Sequence, residues 1–274
     1  VKPAPFAYHR PATLAEAFAL WDESDGEAAW LAGGQSLIPA MAMRLNTPGA
    51  LIDLARIPDL RGITLDSGTI RVGAMTTYAD LLAHPAAMAA LPLLAAALPN
   101  IAHPAIRNRG TIGGSLALSD PAAEMPAVIL ALDAVVTLAG PDGLRAIPAG
   151  DFVTGMYETA LEPGEIIMQI DFPAQDAVPW AFREIARRQG DYALAGLAAV
   201  GGPAPRIVWF GLSTHARRDH AAETALAAAA TAEDITAAAL DGIDISGDSV
   251  TGEATRAHLA RVLLARVLQN WGIA

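Results

Sequence analysis

Residues 110–133 read GTIGGSLALSDPAAEMPAVILALD, and the organisation of the whole chain turns on them. Gly110, Gly113 and Gly114 lie among small and hydroxylated residues, after which Asp120-Pro121 leads into an apolar run at 126–132. The pattern predicts a glycine turn feeding a buried helix. Glycine permits backbone angles that other residues resist, and it lets the main chain approach a ligand closely. Successive N–H groups of such a turn can then converge on an anion. Thr111 and Ser115 add hydroxyl donors at the two ends. Taken alone, the stretch also suits an ordinary glycine-rich connection between strand and helix.

A second stretch repeats the chemistry. Trp30, Leu31, Ala32, Gly33, Gly34, Gln35, Ser36 and Leu37 follow one another where an apolar run, AAWLA, meets a glycine pair and then a helical pattern of Leu37, Ile38, Met41 and Leu45. Strand, glycine turn and helix start make an anion site, because unpaired N–H groups and the helix dipole face the same way. Two turns of matching chemistry suggest two jaws on one diphosphate.

Composition limits the alternatives. The 274 residues suit two domains, or one with an appendage. The charge of −11, from 18 basic and 29 acidic residues, comes without any basic run interleaved with aromatics, so nucleic acid is not an expected partner. Cysteine is absent, which excludes disulfides, thiolate catalysis and thiolate-held zinc or iron–sulfur centres within these residues. Mean hydropathy is positive. The longest stretch free of charged residues, 83–106, is nevertheless broken by Pro85, Pro92, Pro99 and Pro104, which predicts short packed helices rather than a membrane span. No amino-terminal charged and apolar leader is visible, so a cytoplasmic location is expected, with export only if a partner carries the chain. The first residue is Val1, compatible with a trimmed or unusual start.

In chain order, Thr13 to Glu16 has the spacing of a capping box, with Leu14, Phe18 and Trp21 on one helical face. Strand patterns around AAWLA and ALIDL complete a small β-α-β-α-β unit. Hairpin signals follow at 63–65 with 70–72 and at 135–138 with 144–147, and a further strand at 166–172, predicting a mainly antiparallel sheet. Residues 173–179 read as a linker. Strand-like stretches at 181–186, 192–200 and 206–212 precede Ala-rich helices, the last at 253–268 with Leu259, Val262, Leu263 and Val267 on one face. His215 and His220 miss the one-turn spacing of a helical metal pair, and no metal site is expected. G-x-S-x-G, G-x-G-x-x-G after a strand, and G-x-x-x-x-G-K-[ST] are all absent.

AGGQS at 32–36, TIGGS at 111–115, DPAAEMPA at 120–127 and GDYA at 190–193 together resemble the FAD-binding medium subunit of the molybdenum hydroxylases. That family includes xanthine dehydrogenase, aldehyde oxidoreductases and the aerobic carbon monoxide dehydrogenase flavoprotein. FAYHRP near the start and GAMTTYADL at 73–81 extend the likeness through most of the chain. The resemblance implies an α+β fold with a two-lobed FAD-binding domain of the vanillyl-alcohol-oxidase (PCMH) type over residues 1–173, its lobes at about 1–57 and 58–173. A smaller α+β carboxy-terminal domain over 174–274 would follow.

It also implies a site. Backbone and hydroxyl groups of residues 32–37 and of Thr111, Gly113, Gly114 and Ser115 would hold the FAD pyrophosphate, with Trp30 and Leu31 in the same cofactor-binding stretch, and Glu124 would contact the adenosine side where relatives usually carry Asp. Ser115 stands where Asn is more usual. Ile101, with Ala102 beside it, occupies the position over the flavin ring where some members have an aromatic. Ile167 would lie beside the ring through its backbone, Arg183 near the flavin edge, and Tyr192 over one face. The chain itself would need no catalytic base. FAD would be its cofactor; the molybdopterin cofactor and [2Fe-2S] clusters would sit on a large molybdenum subunit and a small iron–sulfur subunit, in a dimer of heterotrimers. The expected function is electron transfer from those clusters through FAD to an external acceptor. The alternatives are a self-contained FAD-dependent oxidase of the same fold and a flavin-free scaffold subunit.

Overall fold

The computed structural model describes residues 2–175 and 177–274, with mixed helix and sheet. The first sheet is built from β1 (Ala7–His9), α1 (Leu14–Asp22), β2 (Ala28–Leu31), α2 (Leu37–Ala42) and β3 (Ala50–Asp53), with all strands parallel in the order β1-β3-β2. Thr13 caps α1 by accepting the Glu16 N–H at 3.2 Å, and the Glu16 carboxylate accepts from the Ala12 N–H at 2.8 Å. This is the expected box with its return arm one residue early. Asp25 and Gly26, both left-handed, end the helix turn and deliver the chain to β2.

The second sheet is antiparallel throughout. Its strands β4 (Ile63–Asp66) and β5 (Thr69–Gly73) form one hairpin. Five helices then intervene: α3 (Tyr78–Leu82), α4 (Pro85–Ala90), α5 (Pro92–Ala97), α6 (Pro104–Arg107) and α7 (Ile112–Leu118). Three of them begin with proline, where its missing N–H costs nothing. After α8 (Glu124–Ala131) come the hairpin β6 (Val135–Gly140) and β7 (Gly143–Pro148), the short α9 (Ala149–Phe152), the ribbon β8 (Val153–Gly155) and β9 (Glu158–Thr159), and β10 (Ile166–Pro173). The order β4-β5-β10-β6-β7 places β10 in the middle.

The last sheet, β11-β12-β13-β14, comprises β11 (Trp180–Ala186), β12 (Ala193–Val200), β13 (Arg206–Phe210) and β14 (Arg217–Arg218). It is followed by α10 (His220–Ala227), α11 (Ala232–Ala238) and α12 (Glu253–Asn270). In α12 the buried residues are Ala260, Leu263, Leu264, Val267 and Leu268. The apolar stripe is thus rotated from the expected one: Leu259 and Val262 lie at its edge, because small Ala260 lets the helix sit close to the sheet.

All eight residues of α8 are buried, since the helix lies between the second sheet with its helices and the last sheet. Arg206 of β13 donates from Nε to the Ala131 carbonyl at 2.6 Å, and Gly211 donates to the Pro121 carbonyl at 2.9 Å. One apolar cluster accordingly runs from Ile70 and Leu98 through Met125 and Ile129 to Phe182 and Phe210. The expected linker at 173–179 therefore joins parts that share a core; its Asp176 lies outside the described residues. No helix among the described residues is long and apolar enough to cross a membrane.

Candidate functional site

The first glycine segment leaves the carboxy end of β2, where Leu31 pairs with Asp53 of β3. Gly34 adopts φ 71°, a left-handed turn in which a Cβ would stand 3.1 Å from Ile38 Cγ1 and 3.3 Å from Leu31 Cδ1. Gln35 Nε2 donates back to the Gly33 carbonyl at 3.0 Å and fixes the turn. The N–H groups of Gly33, Gly34, Gln35 and Ser36 find no backbone acceptor among the described residues. Ser36 precedes α2 without spending its hydroxyl on a cap. Leu37 opens the helix. Unspent donors at a strand-to-helix turn suit an anion.

Trp30 precedes the turn within β2. Its indole stacks on Trp21 at 4.7 Å and meets Phe18 edge-on at 6.2 Å, so its side chain belongs to the packing of α1 and only its backbone borders the turn.

The second segment departs further from the expected donor role. Residues 112–118 are helix α7, capped by Thr111, whose Oγ1 accepts from the Gly114 N–H at 3.1 Å. Ile112 donates to the Thr76 carbonyl, Gly113 to that of Ala74 and Ser115 to that of Thr111. Those four N–H groups are occupied, so this jaw offers shape and the Thr111 and Ser115 hydroxyls rather than converging backbone donors. Gly113 serves packing: a Cβ there would lie 2.5 Å from Ala74 Cβ. A relay of backbone bonds sets the helix in place, from Ala74 N–H to the Met168 carbonyl at 2.9 Å and from Gly113 N–H to the Ala74 carbonyl at 2.8 Å.

The two segments meet. A Cβ on Gly33 would fall 2.2 Å from the Arg109 carbonyl oxygen, and one on Gly114 would fall 3.1 Å from Ala32 Cβ and 3.9 Å from the Gly33 nitrogen. At Gly33 the atoms met are backbone and only glycine allows the contact, whereas at Gly114 the nearest are side-chain atoms, Thr111 Oγ1 at 2.9 Å and Ala32 Cβ.

Beside the second segment lies a group of acids and phenols. Glu124, at the start of α8, is buried, and its carboxyl is pushed up to about 7, first by burial and then by the charge of Asp120. Glu184 of β11 is likewise raised to about 7 by burial and by the Glu124 charge, and its Oε2 is buried without a partner. Tyr157 donates to Asp120 Oδ2 at 3.2 Å. The Tyr192 phenol is raised to about 12, chiefly by desolvation of its hydroxyl end and then by Asp120. Its ring is mostly exposed, available to cover something. The Tyr78 hydroxyl, at the start of α3, is buried near Ser115 and Glu124 and makes no hydrogen bond of full geometry among the described residues. Asp120, Tyr157, Glu184 and Tyr78 were not singled out by the sequence patterns; of these only Asp120 carried a signal, its proline-marked place in the opening stretch.

Because both carboxyls titrate higher in the fold than in the open chain, they bind protons on folding. Their contribution is full below about pH 4.5 and falls as pH rises to about 7. Glu184→Gln should therefore flatten the decline in melting temperature of the cofactor-free chain between pH 5 and pH 8. A variant with the same pH profile as the parent would show that these carboxyls ionise freely.

Ile101 is buried beside left-handed Ala102 (φ 44°). Ile167 packs its side chain into the core, and the register of β10 against β6 shifts between Ile167 and Gln169. Arg183 is exposed on β11 and, among the described residues, donates only to the neighbouring Phe182 carbonyl.

A cradle that side chains would fill, four unspent N–H groups, and acceptor carboxyls with orphaned hydroxyls to one side fit an elongated ligand with an anionic middle and a hydroxyl-bearing arm. Fold and site thus define a nucleotide-cofactor-binding protein of mixed helix and sheet. Residues 4–175 match the family described as the FAD binding domain in molybdopterin dehydrogenase. The medium chain of carbon monoxide dehydrogenase from Hydrogenophaga pseudoflava is 45% identical over 72% of this chain and 69% of its own. The nicotine 6-hydroxylase medium subunit of Paenarthrobacter nicotinovorans is 44% identical over 70% of this chain and 68% of its own. The solved carbon monoxide dehydrogenase of Hydrogenophaga pseudoflava that lacks the Mo-pyranopterin moiety of its cofactor superimposes with a TM-score of 0.93 at 38% identity, covering 98% of both chains. The chain belongs to the family of FAD-binding subunits of molybdopterin dehydrogenases, within the oxidoreductases.

Proposed function

We propose that this chain is the FAD-carrying electron-transfer subunit of a multi-subunit molybdenum hydroxylase. It would take electrons from iron–sulfur clusters on a partner chain and deliver them to an external acceptor. The observation that carries the reading is the contact between Gly33 and residues 109–110, which joins the two glycine segments into one cradle. FAD, when bound, supplies chemistry that accepts and releases electrons singly or in pairs.

The chain's residues would divide the work of holding it. The N–H groups of Gly33 to Ser36 would donate to the diphosphate, with the Ser36 and Thr111 hydroxyls beside them. Glu124 would accept from hydroxyls of the adenosine arm, where a carboxylate is an apt acceptor and an extra phosphate charge would be repelled. Ile101 and Ala102 on one side and Tyr192 on the other would enclose the ring and exclude water. Arg183, exposed and unpaired by any carboxylate among the described residues, would favour a negative charge developing near the ring edge.

The same reading includes a PCMH-type arrangement, with an FAD-binding domain at 1–173 in lobes of about 1–57 and 58–173, and a smaller domain at 174–274. It includes a small iron–sulfur subunit and a large molybdenum subunit as partners in a dimer of heterotrimers, and a cytoplasmic setting. Purified chain should show a flavin spectrum, oxidise no alcohol or amine by itself, and become reduced when partner chains and their substrate are added. Turnover of an alcohol or amine by the isolated chain would point to a self-contained oxidase, and a colourless chain that cannot take up FAD would point to a scaffold.

A further inference from the structure

We propose that Arg107 is a positioning residue for the flavin ring, acting through the backbone of residues 99–102 and the loop that carries Tyr192; this rests on the reading above that Ile101, Ala102 and Tyr192 enclose the ring. Arg107 ends the four-residue α6 and folds back over the segment preceding it. A single nitrogen, Nη1, donates to the carbonyls of Pro99 at 3.2 Å, Ile101 at 2.7 Å and Ala102 at 3.0 Å. Three carbonyl dipoles aimed at one point repel each other unless a cation sits there. No carboxylate pairs with Arg107 among the described residues, so its charge is answered by those carbonyls.

The geometry at Ala102 explains why such an anchor is needed. Its φ of 44° is left-handed, a conformation a residue with a Cβ resists, and the surrounding structure must impose it. The carbonyl so placed meets a second segment as well: Gly190, at φ 83°, comes so close that a Cβ there would lie 2.6 Å from the Ala102 oxygen. The Ala102 carbonyl thus meets both the guanidinium and the start of the GDYA loop. If Arg107 releases it, both walls of the ring site lose their register.

The test compares Arg107→Met, Arg107→Lys and Gly190→Ala in the FAD-loaded protein and in the cofactor-free chain. Arg107→Met should release FAD about tenfold faster or more, the effect of losing one charge-assisted hydrogen bond, and should shift the visible flavin bands. Lysine offers three donors to the three carbonyls, so Arg107→Lys should restore both properties. Gly190→Ala, whose Cβ would press on the same carbonyl, should reproduce the faster release if Arg107→Met proves too unstable to isolate. In the cofactor-free chain Arg107→Met should speed hydrogen exchange at 99–102 and at 188–192 while leaving exchange in β10 unchanged. An Arg107→Met protein with parental FAD release and spectrum, or a lysine variant as defective as the methionine one, would overturn the proposal. A parent chain that takes up no FAD would sink the functional reading, while the exchange measurement would still decide whether Arg107 ties the two segments together.

Discussion

Gly33→Ala should strip FAD from the protein. The added Cβ would meet the Arg109 carbonyl oxygen at 2.2 Å, and the Arg109 carbonyl carbon and Gly110 Cα at 2.9 Å, all of them backbone atoms that cannot swing aside. Reaching an ordinary 3.4 Å contact forces the two glycine segments apart by more than an ångström at their point of closest approach. The donors at Gly33 to Ser36 then no longer face what Thr111 and Ser115 face. Each charge-assisted hydrogen bond lost costs about 1.5–3 kcal/mol, so affinity should fall by roughly ten- to a hundredfold for every one. Gly114→Val should act at the same seam through Thr111 and Ala32, with side-chain neighbours that can yield somewhat. Gly150→Ala is the control, because a Cβ there meets nothing within 4 Å. Equilibrium titration of cofactor-free protein with FAD measures the difference. Stoichiometric, parent-like binding by Gly33→Ala would show that the two segments do not form one cradle.

Asp219→Ala should be the most destabilising single change in the carboxy-terminal region. Asp219 is fully buried, and its carboxylate accepts from the Trp209 indole and the Leu240 N–H, each at 2.8 Å, and from the Ala222 N–H at 3.0 Å. It thereby ties β13, the start of α10 and the segment after α11 to one point. Alanine would leave three buried donors without an acceptor at about 1–3 kcal/mol each, a loss comparable with the roughly 5–15 kcal/mol that holds a typical domain folded. Asp219→Asn should cost less but not nothing, since one of its two terminal atoms becomes a donor facing another donor. Denaturant unfolding gives the comparison. A loss below about 1 kcal/mol for the alanine variant would mean that water replaces the carboxylate, and that the region is less tightly closed than its burial indicates.

The β-α-β-α-β order of the first unit and both hairpins of the second sheet were legible because local rules decide them: runs of apolar residues mark strands, and Asp-Gly or Ser-Gly pairs set turns. The four prolines of 83–106 likewise announced a chain of short helices. Other features were illegible for equally physical reasons. A helix at 112–118 is concealed by Gly113 and Gly114, which locally disfavour it; tertiary bonds from Ala74 and Thr76 hold it in place. Glu184 acquires its shifted carboxyl from burial first and from the Glu124 charge second, and only packing supplies either.

The sequence by itself determined where the backbone could pass without side chains, which runs had to be buried, and that these residues hold no thiolate-bound metal, since these properties belong to residue types. Tertiary structure decided which N–H groups stay unspent, that Gly33 touches the 109–110 backbone, and that one arginine gathers three carbonyls. Hydrogen-bond donors and close contacts are shared between distant segments, and a donor's availability is settled only when every competing acceptor has its place.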